Sequence, residues 1–267
     1  MNLAEGRARL GLSIGSLAVI VVLVSGCGAG RNTLPPGSAG ADQFLYERGV
    51  EAMKERRWTD AREYFVRLID GYPQSRYRAD ARLGIGDVYL EQGTAESLVL
   101  AEAEFRDFLA FYPNGARADY AQYKLGMTHH KAMRAAGRDQ TETRAAIRDL
   151  AAFMERFPDS PLREDVAAHL REAKDRLGES NFRVGLHYFR TRWYPGAIPR
   201  FRDLLRTDPE YTHRDEVYFY LAESLLKTEN TAEALPYYER LIAEFESSDF
   251  LDEAGKRVAE IKQGQGK

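Results

Sequence analysis

The sequence predicts an all-α solenoid of about five helical hairpins, closed by a C-terminal capping helix. Three observations carry that prediction. Five 13-residue segments align without a gap: AREYFVRLIDGYP (61–73), AEAEFRDFLAFYP (101–113), AIRDLAAFMERFP (146–158), AIPRFRDLLRTDP (197–209) and ALPYYERLIAEFE (234–246). Each begins with Ala, has an aromatic residue or Leu four positions on, and has an apolar pair at seven and eight; proline closes the first four. These positions share one face of a 3.6-residue helix, and proline ends it. Twelve residues before the Ala stand Gly49, Gly185 and Ala222, and Gly86 and Gly126 take the same place in units two and three if their turns are longer. A small residue facing an aromatic describes a hairpin that cannot bury its face alone, so stacking is needed to build a continuous core. Ala, Leu, Glu and Arg abound and alternating strands are absent, which agrees with an all-helical chain.

Taken in order, the chain opens with Arg7 and Arg9, then runs apolar for thirteen residues from Leu12 to Val24 before Ser25-Gly26-Cys27. Thirteen helical residues rise about 20 Å against a hydrocarbon core of about 30 Å, so residues 1–26 are expected to be an exported signal peptide and not a stable span. Cys27 is the only cysteine of the 267 residues, which excludes an internal disulfide and a multi-cysteine metal site. Val24-Ser25-Gly26-Cys27 resembles the bacterial lipobox. That resemblance implies cleavage between Gly26 and Cys27, then a diacylglycerol and an N-acyl chain on Cys27. At about 0.8 kcal/mol per buried CH2, two or three chains anchor stably where one does not. Gly28 stands where inner-membrane lipoproteins often carry Asp, which implies the outer membrane. Residues 27–41 are read as the lipidated Cys and a Gly/Pro/Ser-rich flexible tether, whose thirteen residues from Gly28 to Gly40 reach at most about 45 Å.

Residues 42–158 are expected to hold repeats one to three, and 159–267 an extended helix, repeats four and five and the cap. GTAESL (93–98) and RAAGRDQTET (134–143) read as insertions in units two and three. Pro161–Leu177 reads as extra helix that fuses with 179–192, starting at Asp159-Ser160-Pro161. Residues 249–263 should form the cap. The formal charge is −3, or −4 without residues 1–26, which carry Arg7, Arg9 and Glu5. That mildly acidic, mixed surface gives no support for nucleic-acid binding.

The pattern Leu45, Gly49, Ala61, Phe65, Pro73 resembles the tetratricopeptide repeat, with a unit near 34 residues. The resemblance implies a right-handed superhelical solenoid. A closer resemblance rests on the lipobox, the YP and FPDS repeat ends, DYAQYKLGMTHH in unit three and KDRL through YFRTRWYPGAIPRF, Lys174 to Phe201. Together these are similar to the YfiO (BamD-type) family of outer-membrane β-barrel assembly lipoproteins. The family likeness implies function without catalysis, at the outer membrane and facing the periplasm. Its C-terminal repeats would bind a BamA-like barrel-assembly subunit alongside accessory lipoproteins, and its N-terminal repeats would receive unfolded outer-membrane proteins. No cofactor is implied beyond the acyl chains.

In such repeats helix-A positions two, five, nine and twelve line the concave surface. Here that predicts a peptide groove from Tyr46, Val50, Met53, Leu83, Leu90, Tyr120, Tyr123 and Met127, with Asp80, Asp87 and His130 beside them. The alternative is that these side chains are core between repeats. A partner surface is expected around Phe182, Leu186, Phe189, Phe219, Arg192 and Arg200, since Arg and aromatic residues together make interface hot spots. His129 and His130 are adjacent, so a helix points them about 100° apart, a poor pair for one metal; His169, His187 and His213 are expected to stand alone. The sequence shows no phosphate-binding glycine loop, nucleophile elbow or metal-ligand spacing. Two other readings stay open: a repeat scaffold of another envelope system, serving Tol-Pal or cell-wall enzymes, and an enzyme or metal-binding protein on a repeat frame.

Overall fold

Helix formation follows the 13-residue pattern and its upstream small residues. The computed structural model describes residues 38–265; Gly26, Cys27, the expected signal and most of the expected tether lie outside the described residues. The described helices are α1 (Ala41–Lys54), α2 (Trp58–Gly71), α3 (Arg78–Gln92), α4 (Ala95–Phe111), α5 (Ala118–Ala132), α6 (Thr141–Arg156), α7 (Arg163–Arg190), α8 (Tyr194–Thr207), α9 (Arg214–Lys227), α10 (Thr231–Glu244) and α11 (Leu251–Gln265). Successive pairs from α1–α2 to α9–α10 form five hairpins, and α11 packs on α10 as the cap. Among the described residues there is no strand, and no helix is long and apolar enough to cross a membrane. Each helix packs on the next, and each odd-numbered helix from α1 to α7 also touches the next odd-numbered one. Among the described residues no two even-numbered helices meet to that extent. The stack therefore curves toward its odd-numbered helices, which line the inner face.

The core is a repeated lock of a side chain against backbone. A Cβ on Gly49 would stand 2.5 Å from the Phe65 ring, on Gly86 2.8 Å from Phe105, on Gly126 2.5 Å from Leu150 and on Gly185 2.6 Å from Phe201. The small residue on the preceding helix, twelve positions before the Ala in units one and four and farther upstream in units two and three, is thus the floor of a slot that the +4 side chain fills. Phe65 also faces Gly84 of the next hairpin, where a Cβ would be 2.6 Å away, so one ring clamps two units. Full burial of such a side chain contributes about 1.5–3 kcal/mol.

Units one, four and five close with one turn. Arg56, Arg192 and Glu229 adopt φ of 56°, 62° and 63°. The next N–H bonds five residues back in each: Arg57 to Ala52 at 2.8 Å, Trp193 to Tyr188 and Asn230 to Leu225 at 2.9 Å. This is a Schellman termination, whose left-handed position favours glycine. The insertions behave differently from one another. GTAESL does not lengthen a turn; it extends the start of α4, capped by Thr94 Oγ1 accepting from Ser97 N–H at 3.1 Å. Of the two insertions, only RAAGRDQTET lies mostly in a loop, residues 133–140 between α5 and α6.

The expected fused helix is α7, 28 residues long. It starts at Arg163, after Pro161, because Ser160 shapes the turn before it: its hydroxyl donates to Asp119 at 2.7 Å and accepts from Leu162 N–H at 3.2 Å. The same stitch recurs where Ser75 meets Asp42 and Ser248 meets Asp215, both at 2.6 Å. Each ties the turn leaving a hairpin to the first turn of that hairpin. At the C-terminal end Glu223 accepts from Tyr238 at 2.6 Å and Arg257 at 2.8 Å, which fixes α11 on the last hairpin.

Gly49→Ala should lower stability by about 1–3 kcal/mol through overpacking against Phe65. Glu229→Gly should raise it by about 0.5–1 kcal/mol by relieving the left-handed residue. Urea denaturation of both variants checks the pair; opposite signs are the signature of these two local causes.

Candidate functional site

The inner face is built by α1, α3, α5 and α7, and rungs between successive odd helices decide which side chains remain available. Tyr46 on α1 stacks on Tyr77, just before α3, with centroids 5.1 Å apart, and its ring also meets Phe65 at 6.1 Å. Tyr46, Val50 and Met53 are half-buried against the first core cluster, and Tyr46, Glu47, Val50 and Lys54 line an open depression of about 280 Å³. Leu83 and Leu90 correct the groove expectation: at 2% and 5% exposed they are core, because α3 is buried over most of its circumference. Tyr120, Tyr123 and Met127 are half-buried. Tyr120 donates to Asp87 at 2.8 Å and lies under the Arg117 guanidinium at 4.4 Å, while Tyr123 faces His169 at 6.1 Å.

Charges on this face are cross-linked. Arg117 lies 3.4 Å from Asp80, and Lys124 lies 4.0 Å from Asp87. Burial pushes the Asp87 carboxyl above its ordinary pKa, with Lys124 and the Tyr120 hydroxyl opposing it. Burial and the Asp87 charge also push Tyr120 up. Between hairpins two and three, His129 is buried; its Nδ1 is 2.8 Å from Glu142, and its Nε2 is 3.3 Å from Asp149 and 3.7 Å from Glu102. Burial acts to lower the His129 pKa, but bonding to Asp149 and Glu142 and the charge of Glu102 outweigh it, so the net shift is upward. This acid-lined histidine locks α4, α5 and α6 together.

Farther along, the expected partner residues separate into two groups. Phe182 is a correction: it is 5% exposed, packed between Phe201 at 5.7 Å and Tyr220 at 5.9 Å, and belongs to the core. Leu186, Phe189 and Phe219 are half-buried, with Phe219 stacked on Phe250 at 4.6 Å. Arg192 and Arg200 are exposed. Trp193, beside Arg192, is 57% exposed and touches Tyr188 edge-on at 4.9 Å. Its place in the turn after α7 made it readable as a surface aromatic, yet the repeat pattern gave it no role. A cleft of about 540 Å³ lies along α7 and α9, with Glu172, Arg176, Glu179 and Arg183 alternating in sign beside Leu186.

His169 also departs from expectation. It does not stand alone: α7 brings it to His130 with ring centroids 4.9 Å apart, and Glu172 joins them, 3.1 Å from His130 Nε2. Burial lowers the His130 pKa. No local spacing announces this trio, because His130 and Glu172 are 42 residues apart.

A family model described as YfiO, outer membrane lipoprotein, matches residues 38–228, and a tetratricopeptide repeat model matches 216–248. The chain is 26% identical over 232 residues to the outer membrane protein assembly factor BamD of Haemophilus influenzae, covering 82% of this chain and 86% of that one. The Vibrio cholerae protein of the same name is 26% identical over 200 residues, covering 70% and 80%. The Caulobacter vibrioides one is 24% identical over 185 residues, covering 69% of this chain and 59%, under two thirds, of its own length. The TPR2AB-domain:pHSP90-complex of yeast Sti1 shares the fold, with a TM-score of 0.50 at 14% identity over 85% of both chains.

The raised Asp87 pKa sets a pH trend. As pH falls through it, the folded chain takes up a proton that the unfolded chain, at the ordinary aspartate value, has not yet bound, so folding gains stability. Stability of the unaltered chain relative to Asp87→Asn should therefore rise as pH is lowered from 7 and level off below the ordinary aspartate value. Denaturant midpoints across that range are the check, and a trend of opposite sign refutes the assignment.

Proposed function

The chain belongs to the YfiO family of outer membrane lipoproteins, and from that premise we propose that it is a solenoid subunit of the β-barrel assembly machinery. The observation that carries this reading is the extent of the family match, from the start of the solenoid through α9, together with relatives that bear the name outer membrane protein assembly factor. In this reading acylated Cys27 holds the chain in the outer membrane, the Gly/Pro/Ser tether spaces it from the lipid, and the solenoid faces the periplasm. It acts by docking and presentation, not by catalysis.

Two of its surfaces would then divide the work. The open depression at Tyr46 and Val50, with half-buried Met53 on the same helix and half-buried Tyr123 and Met127 on α5, offers apolar surface of the kind that an extended, aromatic-tipped barrel strand can match. The exposed Arg192, Trp193 and Arg200, with half-buried Leu186, Phe189 and Phe219, supply the Arg-aromatic chemistry of a protein interface for the barrel-assembly subunit. Leu83, Leu90 and Phe182, at 2–5% exposed, contribute little to either surface.

Affinity purification after mild detergent extraction is expected to recover a barrel-forming assembly subunit. Recovery of Tol-Pal components or cell-wall enzymes in its place would assign the scaffold to another envelope system. Tyr46→Ala should weaken binding of a barrel-protein C-terminal peptide by about 1 kcal/mol or more. Its loss of folding stability should stay below the roughly 3 kcal/mol typical of a core aromatic. Cys27→Ser should release the protein from membranes on alkaline wash, and retention would refute the anchor.

A further inference from the structure

The trio on the inner face between α5 and α7 has the chemistry of a metal site. His130 comes from the last turn of α5, while His169 and Glu172 are three apart on one face of α7. Donor atoms of all three lie within 4.8 Å of one another. In a tetrahedral zinc site with bonds of about 2.0–2.1 Å, ligand atoms stand about 3.3 Å apart, so His130 and Glu172, at 3.1 Å, are already at that separation. The remaining donor pairs, within 4.8 Å, would close to that separation by side-chain rotation of His169 and the exposed Glu172.

The surroundings fit a built site. Tyr123 faces the His169 ring at 6.1 Å, and Arg176 lies 3.8 Å from the other oxygen of Glu172, which leaves Oε2 turned toward His130. A ligating carboxylate is commonly held by an outer polar partner, the part Arg176 plays for Glu172. Glu172 also lines the open cleft along α7, which gives an ion an entry path. Two imidazoles and one carboxylate select borderline divalent ions and not Mg²⁺ or Ca²⁺, which prefer all-oxygen shells.

We propose that His130, His169 and Glu172 bind a divalent transition-metal ion of the Zn²⁺ class, with water in the remaining position, and that the ion staples hairpin three to the fused helix. Three protein ligands from two helices make the ion a cross-link between α5 and the first half of α7. The inference does not depend on the β-barrel assembly reading, and its test has no functional readout in common with that reading.

The probe is Co²⁺, added to full-length protein that carries no histidine tag and has been freed of metal by chelator dialysis. The expected result is one equivalent of Co²⁺ bound, seen as visible d–d absorption and displaced by Zn²⁺ but not by Mg²⁺. Glu172→Gln and His169→Ala should each weaken binding by at least about tenfold, because each removes a direct ligand where even loss of an orienting contact costs 10–100-fold. His187→Ala, at an exposed position elsewhere on α7, should leave it unchanged. No Co²⁺ absorption at millimolar metal, or absorption that Glu172→Gln leaves intact, overturns the site. Glu172 is exposed, so that variant decides the matter even if His169→Ala proves unstable.

Discussion

The contact between a small residue on one helix and the +4 side chain of the next sets the geometry of the solenoid. Glycine at 49, 86, 126 and 185 lets a ring or a leucine lie directly on helix backbone, so the helices of each hairpin approach more closely than side chain against side chain would permit. Once that separation is fixed, the odd-numbered helices are presented in register from unit to unit. Only then can short polar rungs such as Tyr120 to Asp87 and Arg117 to Asp80 span neighbouring hairpins. The inner face is a consequence of the lock, not an independent construction.

That dependence explains what the sequence could reveal. The hairpins, the fused helix and the cap were legible because their determinants sit within about one repeat of each other and recur with a period. Side-chain availability was less legible. A rule that assigns positions two, five, nine and twelve of every first helix to the concave surface treats all units alike. Yet α3 carries both Gly84 and Gly86, is drawn against rings from α2 and α4, and so buries Leu83 and Leu90. Phe182 is lost to the core for a related reason, since Phe201 and Tyr220 reach it from two different helices. The histidine clusters were invisible because their carboxylates arrive from other helices, 13 residues away at Glu142 and 42 at Glu172.

Electrostatic pairing also sorts the surface. Arg117, Lys124 and Arg176 all have carboxylates within 4.0 Å, and these contacts run along or between the inner helices. Their charge is largely spent inside the solenoid. What stays exposed is unlike in two regions: apolar and aromatic at α1, cationic and aromatic around the α7–α8 turn. Two chemically distinct surfaces can hold dissimilar partners without their competing for one site.

The unbroken α7 lies between the hairpins before it and those after it. Twenty-eight residues make a rod about 42 Å long. Its first half is packed into hairpin three through Val166 and Leu170, and its second half is the first helix of hairpin four. Elsewhere in the stack a turn interrupts the chain at every hairpin and can absorb a small rotation. Here nothing does. A tilt of about 10° at one end of such a rod displaces the other by about 7 Å. The solenoid therefore contains a lever arm at its centre, and strain introduced at one end is delivered across it as displacement at the other.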